Sequence, residues 1–335
     1  MNRASSSFLM KKLIFILLFF VCICSAKANG PIKMYTGYYI KSLNLNQESQ
    51  SAKLVFYFWL RAKLPVGDTN YHELKNVEFL NADINEIVIH EERFHDGNYY
   101  LSGEVDGDFK FNAEYKYYPF DRQKINIIME HVNFEKSDLV ILPDMNSYKK
   151  SRVDEKLRGV SEYLNSYDLI IEKTSFRSYS KKYNTDFGDP EITSNSSTYS
   201  TMKYTLFVKR NYVPYAVKFI IPLIIVLSLA YLVFYIEADK LELASSLTVT
   251  SLIAAIAFQW TISDDLPEIG YLTTVDRIYY LSYFLIMFAM VQTIWTFNLE
   301  KRNKHRLSKN LEMIGRWSFP IIFCFGVYYF VMESF

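Results

Sequence analysis

Seven residues of the apolar run ELASSLTVTSLIAAIAFQWTISD recur at helical spacing: Glu242, Ser246, Thr250, Ile253, Ala257, Trp260 and Asp264. At 3.6 residues per turn they share one face of a helix. The run exceeds the ~20 residues that cross a bilayer, and a polar stripe at membrane depth must face a bundle interior or water. The chemistry such a stripe offers is ion passage. A ring of Glu242 carboxylates favours cations, the Ser246 and Thr250 hydroxyls replace part of an ion's hydration, and Ile253 with Ala257 forms a constriction able to close by dewetting. Asp264, with Asp265 beside it, concentrates cations at the far mouth. Trp260 either plugs that mouth as a ring of indoles or packs between helices near the membrane interface. The predicted element is a pore-lining helix.

The rest of the chain must position that helix. Of 335 residues, 50% are hydrophobic and 17% aromatic, too apolar for one ordinary soluble domain. The excess lies at the N-terminus and after Arg210. Arg3, Lys11 and Lys12 precede the apolar run Leu13 to Cys24, and Ala26-Lys27-Ala28 supplies a cleavage site, so residues 1–28 read as a signal peptide. Cys22 and Cys24 leave with it and Cys324 sits in an apolar run, so the exported domain holds no disulfide. The formal charge of +1, without a basic patch, gives no reason to expect nucleic acid. His72, His90, His95, His131 and His305 lack metal-ligand spacing, and no nucleophile or phosphate-loop motif occurs. No enzyme activity, metal or cofactor is therefore expected.

Between residues 29 and 210 the hydrophobic period is two. Lys53–Arg61, Ile84–Ile89, Tyr99–Val105, Phe109–Tyr115, Ile125–Met129, Leu139–Leu142, Tyr167–Phe176 and Thr201–Lys209 read as short strands, with turn signals at Pro65-Val66-Gly67-Asp68, Asp96-Gly97-Asn98 and Asp106-Gly107-Asp108. This pattern predicts an antiparallel β-sandwich. A long Ser/Thr/Asn-rich loop is expected from about 179 to 200. Residues 211–335 carry four apolar segments, 215–235, 241–262, 275–299 and 314–331, predicting a four-helix transmembrane domain. Pro222 interrupts the first, which implies neighbouring helices that satisfy the freed backbone. The linker 300–309 holds Lys301, Arg302, Lys304, Arg306 and Lys309 and belongs on the cytoplasmic side, whereas the opposite connection carries Asp264, Asp265 and Glu268. The sandwich is then outside a cell membrane crossed several times, periplasmic in a Gram-negative cell.

Three further motifs go with this plan. Tyr117-Tyr118-Pro119-Phe120-Asp121-Arg122-Gln123 carries an aromatic-Pro-Phe-Asp-x-Gln signature, Arg210 precedes Pro222 by twelve residues, and Leu266-Pro267 followed by Tyr271 leaves the striped helix. Together with SLTVTSLIAAIAF they resemble the pentameric ligand-gated ion channels, the Cys-loop receptor superfamily, in the bacterial branch that lacks the disulfide. The short linker is similar to that branch. Ala255 stands where proton-gated members carry a histidine, so proton gating is not implied.

The resemblance implies a homopentamer, four further copies joining each chain around a central pore that passes monovalent cations when a small-molecule or ionic agonist binds the sandwich. It places Asp121, Arg210, Pro267 and Tyr271 at the domain junction, where gating is coupled. It places a ligand site between subunits, with Tyr183 and Phe187 on the long loop, Tyr148 after the Leu142-Pro143 turn, and Leu54 or Phe56 on the neighbour's strand. Facing aromatics could hold a cation there. The competing readings are a non-conducting membrane receptor for a periplasmic solute and an anion-selective channel of the same fold. Only about ten polar residues separate the last two helices, which speaks against the first, and Glu242 speaks against the second.

Overall fold

A computed structural model describes residues 30–65, 70–148, 155–164, 169–188, 196–263 and 266–335. The signal peptide expected at 1–28 and the acids Asp264 and Asp265 lie outside the described residues.

Among the described residues nine strands form two facing sheets. The five-stranded sheet runs in the order β4 (Ala82–His95), β5 (Asn98–Lys110), β2 (Ser51–Lys63), β1 (Ile32–Asn46), β7 (Leu139–Pro143). The four-stranded sheet runs β3 (Val77–Phe79), β6 (Arg122–His131), β9 (Ser197–Arg210), β8 (Leu169–Tyr183). Every pairing is antiparallel except β1 with β7. Alternation drives the packing: in β9, Met202, Tyr204, Leu206 and Val208 all point inward and are buried. In β2 the even-numbered positions Leu54, Phe56, Phe58 and Leu60 do the same, and they meet Tyr38, Phe79 and Phe109 across the core.

β1 and β3 are not among the strands expected from the sequence, the Asp106-Gly107-Asp108 turn signal lies inside β5, and two further segments differ from the expected pattern. Phe109 closes β5, and the residues after Lys110 leave the ladder, because Gln123 bonds the Glu114 backbone and turns the chain toward the membrane domain. The long loop is shorter than expected: β8 and β9 stay in register out to Tyr183 and Ser197, so the polar residues on either side are ladder rather than loop. Ser180, Thr198 and Ser200 there pair through the backbone ladder, which their polar composition conceals.

Four helices follow: α1 (Tyr212–Tyr231, continued by a 3-10 turn to Tyr235), α2 (Leu241–Ser263), α3 (Thr274–Lys301) and α4 (His305–Met332). Each is long and apolar enough to cross a bilayer. Pro222 leaves a carbonyl of α1 without its helical donor, and in the same turn the Tyr279 hydroxyl of α3 donates to the Phe219 carbonyl at 3.1 Å. Gly315 lets α4 lie against the Gln292 amide and the Phe234 ring, where a Cβ would collide. A second core joins the helices to the sandwich, since Tyr115 and Tyr118 pack with Phe219, Leu223, Ile278 and Tyr279.

Candidate pore face, domain junction and aromatic pocket

Helix α2 has two unlike faces. Ala244, Thr248, Ser251, Ala255 and Ile262 are buried against the chain's own helices. Glu242, Ser246, Thr250, Ile253, Ala257 and Trp260 all lie on the bare side, with Ile253 62% and Trp260 72% exposed. That side is broader than the predicted stripe, since Leu243, Val249 and Phe258 flank it, also exposed. Hydroxyls divide in the same way. Thr248 donates to the Ala244 and Ser245 carbonyls, and Ser245 to the Glu242 carbonyl. Ser246 and Thr250 have no side-chain partner among the described residues, so their oxygens are free for water or an ion.

The C-terminal end of α2 is pinned to α3. Gln259 donates to Asp276 at 2.9 Å and accepts from the Tyr283 hydroxyl at 2.5 Å. Asp276 completes a capping box with Thr273 at the start of α3.

At the junction Arg210 and Asp121 form a fork-like pair, Nε to Oδ1 at 2.9 Å and Nη2 to Oδ2 at 3.3 Å, each side chain 2% exposed. The remaining capacity is filled. Gln123 donates to Asp121 Oδ2 at 2.7 Å, Arg210 Nη1 donates to the Tyr215 hydroxyl at 3.2 Å, and the guanidinium lies over the rings of Tyr118 and Tyr215. Burial alone would lower the proton affinity of Arg210, but the Asp121 charge and hydrogen bonds outweigh it and raise it above the usual arginine range. Tyr271 reaches the same region: its hydroxyl accepts the Tyr115 N–H at 3.0 Å. Burial, opposed by Arg210 and reinforced by Asp121, pushes the Tyr115 phenol up to about 12. Pro267 is half-buried between Leu266 and Ile269, which pack on the second core. The end of α4 also docks here, through Arg277 to Glu333 at 2.6 Å, Thr274 to Ser334 at 3.0 Å and Phe120 against Phe335. Those contacts had no signature in the sequence, whereas the doubled tyrosine before Pro119 did mark the ring over Arg210.

The four expected ligand residues separate. Tyr183 and Phe187 come together, with ring centroids 5.3 Å apart, and Tyr199 closes the cluster at 5.8 Å from Tyr183. Lys181 lies over Tyr183 at 4.5 Å. Phe56 is corrected to a core residue: its even-numbered place in β2 turns it inward, fully buried, and Leu54 with it. Tyr148 belongs to another cluster, against Trp59 and Phe176, with its hydroxyl fixed to both the N–H and the carbonyl of Tyr38. The sequence reading missed Glu130. This acid, 2% exposed, accepts from the Tyr183 hydroxyl at 2.9 Å and from Thr201 at 2.5 Å. An isolated acid in the apolar strand INIIMEHV was the available signal. Burial and the Glu130 carboxylate both raise the Tyr183 phenol.

A sandwich seated on four apolar helices defines a multi-pass membrane protein with an aqueous-facing domain. No family model matches the chain. Over 210 residues it is 22% identical to a proton-gated ion channel of Gloeobacter violaceus, a match covering 63% of this chain and 53% of that protein. It is 22% identical to a pH-sensitive chloride channel 2 of Drosophila melanogaster over 203 residues, 57% of this chain and 35% of that one. It is also 22% identical to an acetylcholine receptor subunit beta of Xenopus laevis over 206 residues, 62% and 38%. The matched stretches span about half of these relatives' length or less. With the fold, these matches make the chain similar to the pentameric ligand-gated ion channel superfamily, the matched relatives being channels and a receptor subunit.

Proposed function

We propose that the chain forms a homopentamer around α2 and conducts monovalent cations when a ligand occupies the sandwich. The observation that carries this is the bare face of α2, on which an acid, two unpartnered hydroxyls, two small or aliphatic belts and an indole follow one another. Five such faces around an axis supply a carboxylate ring at Glu242, a hydroxyl belt at Ser246 and Thr250, a hydrophobic gate at Ile253 and Ala257, and an indole ring at Trp260. The flanking Leu243, Val249 and Phe258 then bury against neighbouring copies. Exposed Ile87, Val88 and Ile89 on the edge strand β4 suit another copy in the same ring. Asp264, by its place one turn beyond Trp260, is assigned to the outer mouth. The basic linker after Lys301 is assigned to the cytoplasm, and the signal peptide and sandwich to the outside.

For the ligand, Tyr183, Phe187 and Tyr199 over the Glu130 carboxylate suit a small organic cation, which aromatic faces and a buried acid both attract. Asp121, Arg210, Pro267 and Tyr271 then transmit occupancy to α2. Two relatives are pH-sensitive chloride channels, which favours an anion-selective reading; the Glu242 ring opposes it. Planar-bilayer recording of the purified protein in a KCl gradient, with primary and quaternary amines as agonists, tests the proposal. A reversal potential on the potassium side is expected. One on the chloride side overturns the selectivity, and absence of current in a correctly assembled pentamer overturns conduction.

A further inference from the structure

His131 ends β6 with its imidazole buried, 1% exposed, and fully engaged. Its Nδ1 accepts the backbone N–H of Asn133 at 3.1 Å and of Phe134 at 2.9 Å, so that nitrogen presents a lone pair. Its Nε2 lies 2.9 Å from the Glu73 carbonyl oxygen and therefore donates its proton there. The Phe134 ring lies nearly parallel to the imidazole at 4.5 Å. Only the neutral Nε2–H tautomer satisfies all three bonds. A second proton, on Nδ1, would face two N–H donors with water excluded.

Of the charged groups around the ring, the Glu73 carboxylate favours that proton, and burial outweighs it. The 3-10 turn Asn70–Lys75 supplies Glu73, whose carboxylate accepts from Asn76 at 2.9 Å and Asn133 at 3.3 Å. His72 and Lys75 of that turn point to Glu92 of β4. β3 carries Glu78, in register with Glu130 of β6, and Glu135 follows the clamped residues. Among the described residues no carboxylate bonds the imidazole, and burial, opposed by the Glu73 carbonyl, lowers its proton affinity below that of an ordinary histidine.

Glu130 is the adjacent residue, and alternation along the strand sends the two side chains to opposite faces. The backbone clamped by His131 on one side is the backbone that carries the floor of the aromatic pocket on the other. We propose that His131 is an acid-labile clamp: its protonation frees the Asn133 and Phe134 amides and loosens the end of β6 that carries Glu130, so that acid weakens the Tyr183–Phe187–Tyr199 pocket. The sign follows from the neutral folded state. The clamp is intact above the unfolded histidine value of ~6.5 and is lost as pH falls through it toward the lower folded value. Acid is thus inhibitory through this residue.

The inference uses the pocket proposed above only as the place where loosening is felt, and hydrogen exchange reads it whether or not the chain conducts ions. Exchange is followed on the full pentamer in detergent, corrected for intrinsic rates. Protection of the Asn133 and Phe134 amides should fall about tenfold from pH ~7.5 to ~5.5, because the open form binds one more proton. Protection across the Tyr183 to Tyr199 hairpin should fall with it, while β9 near Leu206 holds. His131→Asn should remove the pH dependence at both places. Flat protection in the native protein, loss confined to Asn133 and Phe134, or an unchanged slope in a folded His131→Asn would each overturn the proposal; if that variant does not fold, the native series alone decides.

Discussion

Asp121 and Glu242 are both carboxylates near a membrane boundary, and their surroundings are opposite. Asp121 is buried against Arg210 and Gln123 and accepts three hydrogen bonds from them, with two tyrosine rings over the guanidinium. Glu242 is exposed in the single chain and has no cationic partner among the described residues. A buried pair is costly to break and says little about function, whereas Glu242, an unpartnered acid on a bare helix face, gains only the modest helix-dipole stabilisation of its first-turn position, about 0.3–1 kcal/mol, so its role is proposed to lie in what it meets in an assembly. The two faces of α2 repeat the contrast: Thr248 satisfies a backbone turn, and Thr250 two residues later satisfies nothing of its own.

Breaking the buried side should give the largest effect. Arg210→Ala strands Asp121 without a cation and should lower folding stability by about 3–5 kcal/mol, read as loss of assembled protein after detergent extraction. Phe56→Ala, which opens a cavity among Tyr38, Phe79 and Phe109, should cost a similar ~3–5 kcal/mol and leave agonist selectivity alone in any channel that survives. If Phe56→Ala folds normally but changes agonist preference, its place in the core is wrong. In the pocket, Tyr183→Phe removes one hydrogen bond to the buried Glu130 carboxylate and should cost ~1–3 kcal/mol while raising the half-maximal agonist concentration. The exposed side of α2 sharpens the comparison from below. Thr250→Ala should change thermal stability by no more than ~0.5 kcal/mol yet reduce single-channel conductance, whereas Thr248→Val should cost ~1 kcal/mol and leave conductance unchanged.

Much of this division was legible in the sequence because it rests on period. Steps of three and four put Glu242 to Trp260 on one face, and alternation marks Thr201–Lys209 as a strand, whose Met202, Tyr204, Leu206 and Val208 are buried. Phe56 was misassigned because a strand of KLVFYFWLR is apolar at nearly every position, so composition could not say which parity faces inward; register against β1 and β5 decides it. Glu130 escaped because a buried acid is recognised by what it bonds, and Tyr183 and Thr201 lie more than fifty residues away in the chain. The docking of Glu333 and Phe335 on the junction is likewise long-range, with no local spacing to reveal it.

The central claim is that the bare acid of α2 sets the charge of what passes. Reversal potentials of Glu242→Gln and Glu242→Lys channels in a KCl gradient test it most directly. Weakened cation preference is expected for the neutral variant and a shift toward chloride for the lysine, with assembly retained and only the helix-dipole stabilisation of ~0.3–1 kcal/mol lost from thermal stability in the neutral variant. Cation selectivity that survives Glu242→Lys would contradict it.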